Sequence, residues 1–164
     1  MKKITILLSA ATLLVFFAAT AFKPLPPGPS ANGQGTLSPP VSPSDGFRHF
    51  SFHAKTMPGG SVQGSGVLTY IGGDLKIKFD IDCLVVTGNT ATMSGIITTH
   101  DQNPLLVGTR CRFKVQDNGE GANATEDRIT LLQVGLPPAF PCVAIPATGL
   151  ALNPIEGGNI QVKN

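Results

Sequence analysis

The sequence is poor in the residue types that most binding and catalytic chemistries draw on. It has no Trp and a single Tyr, Tyr70, which leaves little aromatic surface for stacking sugars. Charged residues make up 13% of the chain, about half the usual share of roughly 25%. The 12 Lys and Arg residues are scattered, so the clustered basic footprint of a nucleic-acid binder is missing. No G-x-S-x-G, P-loop, H-E-x-x-H or G-x-G-x-x-G motif occurs, which removes the sequence signals for a nucleophile elbow, a phosphate cradle, a zinc protease helix and a dinucleotide fold. No segment carries a sustained 3.6-residue apolar period, so the pattern does not argue for amphipathic helices. What is present is enough apolar side chain, 41% of 164 residues, for one domain with one core.

The N-terminus reads as an export signal. Lys2 and Lys3 precede an uncharged apolar run from Ile4 to Phe17, and Ala19-Thr20-Ala21 supplies an A-x-A cleavage pattern. The expectation is a signal peptide over residues 1–21, cut after Ala21. An uncleaved anchor is the alternative, since a span needs about 20 apolar residues; after cleavage no membrane span is expected. Removal of Lys2 and Lys3 leaves ten basic and ten acidic residues, so the chain's formal charge of +2 belongs to the signal. Residues 22–45 hold seven prolines. Proline lacks a backbone N–H and fixes φ, so this stretch is expected to be a disordered, semi-extended spacer.

From residue 46 onward the period is two. Phe50, Phe52 and Ala54 share one face of the segment beginning at Arg48. Between Leu75 and Cys83 every odd position is apolar or Cys and every even one is charged. Residues 110–116 repeat the pattern with Cys111, Phe113 and Val115 inward. Such alternation places one face of a strand in a core and the other in water. Residues 67–71, 90–98, 128–134 and 159–163 are further strand candidates, with Gly72-Gly73 and Gly88-Asn89 as hairpin links. About eight strands joined by hairpins predict an all-β domain over 46–164, an antiparallel sandwich or small barrel.

Three cysteines in an exported chain allow three single disulfides and leave one thiol over. Pairing Cys83 with Cys142 tethers the Pro-rich stretch 135–154 to the sheet and leaves Cys111 as a small buried hydrophobe. His49 and His53 lie about 13 Å apart along one strand face, too far to share a metal. Asp80 and Asp82 lie about 6–7 Å apart on one face, a spacing that glycosidases use, but cross-strand pairing with neighbouring lysines explains them as well. The richest set of hard oxygen ligands is in the 117–127 loop: Asp117, Asn118, Glu120, Glu126 and Asp127. Calcium accepts six to eight oxygens in irregular geometry; a turn whose Asn and Gly satisfy the backbone is the plainer alternative.

Cys83-Leu84-Val85-Val86-Thr87-Gly88-Asn89-Thr90-Ala91-Thr92, Phe113-Lys114-Val115-Gln116-Asp117-Asn118-Gly119-Glu120 and the closing Gly157-Gly158-Asn159-Ile160-Gln161-Val162 resemble the C-L-x-V-x-G-N-x-A-T, F-x-V-x-D-N-G-E and G-G-N-I-x-V segments of a group of small secreted bacterial β-proteins and modules of unknown function. The resemblance spans about residues 46–164. It implies a cysteine pair at Cys83 and Cys142 and no assigned reaction, ligand or active site. The expectation is therefore a secreted or periplasmic, non-enzymatic β-domain acting as an interaction or structural module, with another surface or secreted protein as the kind of partner. The alternatives are a calcium-dependent binding module on the 117–127 loop and a hydrolase built on Asp80 and Asp82.

Overall fold

The structure, a computed structural model, describes residues 27–37, 48–70, 75–121, 124–140 and 150–164. The signal segment, the Gly72-Gly73 link and Cys142 lie outside them. Among the described residues ten strands follow in order: β1 Ser30–Leu37, β2 Arg48–Thr56, β3 Val62–Tyr70, β4 Leu75–Thr87, β5 Thr90–His100, β6 Arg110–Gln116, β7 Arg128–Thr130, β8 Gln133–Leu136, β9 Leu152–Pro154 and β10 Gly157–Lys163. All pair antiparallel in one sheet of order β10-β1-β2-β3-β4-β5-β6-β7-β9, with β8 also on the edge of β6. The sheet is curled into a half-barrel. Among the described residues no helix is long and apolar enough to cross a membrane.

The curl gathers the inward positions into one core. Phe113 on β6 meets Phe52 on β2 edge-to-face at 5.2 Å and Phe79 on β4 at 5.7 Å, so strands four and two places apart in the sheet touch across the interior. Such pairs add about 0.5–1.5 kcal/mol beyond area burial. The rings find room because glycines lie beside them. Across the sheet one row reads Ile160, Gly33, Phe52, Gly66, Phe79, Ile97. A Cβ on Gly33 would lie 2.9 Å from the Phe52 ring, and one on Gly66 would overlap Phe79.

This row corrects one expectation. Residues 22–45 are not a spacer throughout: Ser30–Leu37 is a full strand between β10 and β2. Its inward face is Ala31, Gly33, Gly35 and Leu37, small where β2 is large, so its own alternation is faint. Two further departures have local causes. β4 and β5 slip register between Ile81 and Cys83, a bulge with Asp82 as the extra residue. Because a one-residue slip exchanges faces, Cys83 lies opposite Ser94 and in line with Arg112, on the outer face rather than in the core with Ile81. It is nonetheless buried and disulfide-bonded. The expected strand over 128–134 divides into β7 and β8. The amide of Lys114 bonds the Thr130 hydroxyl at 2.9 Å instead of a ladder carbonyl, and the chain leaves the sheet edge at Leu131-Leu132. Cys111 is a free thiol with no exposure, and burial pushes its pKa up to about 12.

Candidate functional site

The 117–127 loop joins β6 to β7 and lies along the open edge of β10. An unpaired edge offers a row of N–H groups to any passing strand. Here side chains occupy it. The Ile160 N–H donates to Asp127 Oδ2 at 2.7 Å, and the Val162 N–H donates to Asp117 Oδ2 at 2.9 Å. The other oxygens of these two carboxylates turn inward on the loop: Asp127 Oδ1 accepts from the Asn118 N–H and Asp117 Oδ1 from the Gly119 N–H. Glu120 Oε1 accepts from the side-chain amides of Asn159 and Gln161, and these two bonds lower its pKa. Asn118 donates to the carbonyl of Glu126. The β4–β5 hairpin closes the same end: Gly88, at φ 59°, makes its two-residue turn, and Asn89 exchanges bonds with the backbone of Asp117.

Four of the five residues expected as calcium ligands are thus brought together as a seam that fastens β10 to the loop. Both carboxylate oxygens of Asp117 and of Asp127 and Glu120 Oε1 accept N–H donors, and Glu126 joins the network through its carbonyl. Among the described residues no group of three or more His, Cys, Asp or Glu side chains converges to hold a metal. The same carboxylate oxygens that would suit Ca²⁺ accept strand and loop amides here, which gives the loop a structural role.

Asp80 and Asp82 are both exposed, and neither lines the apolar cavity described next or the shallow hollow beside Glu120 and Gly158. Asp82 is held by a bidentate pair with Arg110, whose Nη2 lies 2.9 Å from Oδ2. Arg110 also bonds the carbonyl of Pro138 and the buried Ser94 hydroxyl. The pair fastens Pro138 across the outer face. His49 bonds Thr36 at 3.2 Å.

The site that sequence reading misses is at the opposite end of the half-barrel. β1 and β3 end there, β2 and β4 begin there, and β5 finishes at His100. A cavity of about 270 Å³ opens between these ends. Phe50, Phe52, Leu68, Ile77 and Phe79 form one wall, and Phe113, Ile129, Leu132 and Val134 face them. Four residues bring polarity: Ser51; Thr130, whose hydroxyl is already bonded to Lys114; His100, whose Nδ1 accepts the Asn103 N–H at 3.1 Å; and Arg48. Arg48 stands at an inward position of β2, two residues before Phe50, with its guanidinium 5.2 Å from the Tyr70 ring. Its Nη1 is buried and has no hydrogen-bond partner among the described residues. The signal was in the period: Arg48, Phe50 and Phe52 share a face, so an arginine on that stripe enters the core. Compared with protein-family models, with curated proteins and with solved structures, the chain gives no match.

Proposed function

We propose that this chain is an exported, non-enzymatic β-domain that works by binding, and that its ligand occupies the apolar cavity at the β2-start end of the half-barrel. The cavity carries the reading. Small-molecule sites are concave, mostly apolar and furnished with few polar groups, at about 300–1,000 Å³. This one lies just below that range and joins four phenylalanines to one cationic group. Export is supported by Lys2 and Lys3, the apolar run and the A-x-A pattern ending at Ala21. A disulfide at Cys83 suits an oxidising compartment, with Cys142 its partner in this proposal. Among the described residues the Thr130 hydroxyl, which accepts from the Lys114 N–H, and His100, whose Nδ1 accepts from the Asn103 N–H, are not hydrogen-bonded to each other. The resemblance to secreted bacterial β-modules belongs to the same proposal.

The test is a titration of the mature chain with Nile red. The dye's emission should rise to saturation at one equivalent, and Leu68→Trp, which fills the cavity, should abolish the rise while circular dichroism stays unchanged. No rise in the parent, or an undiminished rise in Leu68→Trp, overturns the reading.

A further inference from the structure

We propose that the cavity takes a single-chain anionic amphiphile, with its apolar chain against the phenylalanines and its anionic head on Arg48. This rests on the cavity being a binding site. A guanidinium stays charged at any pH a protein meets, and it presents five donors in a planar fork matched to a carboxylate. Arg48 Nη1, which carries two of those five donors, is buried at the cavity wall with no partner among the described residues. Leaving a buried charged donor unmade is costly, and an anionic head supplies what the protein does not. Its register neighbours are Leu37 and Tyr70, neither of which can neutralise it. The nearest comparison inside the molecule is Arg112, whose Nη1 is also buried and unpaired. That residue lines neither cavity; its Nε is bonded to Gln133 at 2.6 Å and its guanidinium lies 5.6 Å from the Phe140 ring. Among the described residues only Arg48 joins an open donor to an apolar space.

Two further observations narrow the class. The cavity volume of about 270 Å³ suits one short or medium acyl chain rather than a two-chain lipid. The β5–β6 connection, at the same end of the half-barrel, holds Leu105 at 88% and Val107 at 46% exposure. Leu131, which lines the cavity, is 42% exposed as well, and large apolar side chains held in water at that end favour a ligand with a hydrocarbon body.

The experiment compares decanoate with decanol as ligands of the mature chain by isothermal titration calorimetry, below the concentration at which either self-associates. Decanoate should bind at least about tenfold more tightly, equivalent to about 1.4 kcal/mol. Arg48→Gln should remove that preference and keep decanol binding, and Arg48→Lys should restore part of it. Equal affinities for the two in the parent overturn the anionic head while leaving the cavity reading intact. A preference that survives Arg48→Gln overturns the role of Arg48. Binding of neither compound overturns this inference and the cavity reading together.

Discussion

The two ends of the half-barrel handle charge in opposite ways. At the end closed by the Gly88-Asn89 hairpin, both oxygens of Asp117 and of Asp127 accept amide donors, and Glu120 accepts two side-chain amides. At the other end Arg48 faces an apolar space with a buried donor left open. Charge-assisted bonds contribute about 1.5–3 kcal/mol each, whereas an unmade buried bond costs a similar amount. One end is therefore arranged for stability and the other is arranged against it. Departures of that second kind concentrate where a protein meets its ligand.

The largest expected effect lies at the seam. Asp127→Ala strands the amides of Ile160 and Asn118, and at about 1–3 kcal/mol for each unsatisfied group it should lower the urea-denaturation free energy by about 2–6 kcal/mol. The preference for decanoate over decanol, measured where the variant is folded, should not move. A stability loss below about 1 kcal/mol would mean that the seam is ornamental and the contrast between the ends is false.

Gly66→Ala comes next. The added methyl overlaps the Phe79 ring, and overpacking of this kind costs about 1–3 kcal/mol. The displaced ring belongs to the cavity wall, so Nile red binding should weaken along with the melting temperature; a lower melting temperature with unchanged dye binding would separate the core from the cavity.

A smaller and purely chemical effect concerns the thiols. Folding raises the pKa of Cys111, so the protonated thiol is favoured in the native state. That contribution is complete below the ordinary thiol value of about 8.5 and is lost as pH climbs toward about 12. Iodoacetamide at about pH 8.5 should label Cys111 only after unfolding, and non-reducing peptide mapping should find Cys83 joined to Cys142. A Cys111–Cys142 peptide would contradict both statements. Smallest of all, calcium or EDTA at millimolar concentration should leave the melting temperature unchanged, since both oxygens of Asp117 and of Asp127 already accept donors; a rise with calcium would favour the metal reading.

Much of the fold is legible in the residues. The charged-apolar alternation of Leu75–Ile81 and of Arg110–Gln116 becomes β4 and β6 with the faces as expected, and Gly88-Asn89 makes its turn. Legibility fails where the information is held by a partner strand. Ser30–Leu37 has glycines where its neighbour has phenylalanines, so its inward face is written in the rings of Phe50 and Phe52. The bulge at Asp82 leaves no mark in the alternation before it, and it exchanges the faces of everything after it, Cys83 included. The 117–127 loop shows its acids plainly, but nothing in it says that they answer the amides of Ile160 and Val162, more than thirty residues away. The cavity is least legible of all, because it is the space left between strands; only the period-two position of Arg48 announces it.

The central claim is that Arg48 is held for a ligand and not for the fold. Thermal melting of the parent and of Arg48→Met, each with and without decanoate, tests it in one measurement. Met keeps the apolar stem and removes the open donor. The account predicts that without ligand the variant melts at the parent temperature or above it, and that decanoate raises the melting temperature of the parent alone, as selective binding to a native state requires. A variant that melts well below the parent, or that gains as much from decanoate as the parent does, would contradict it.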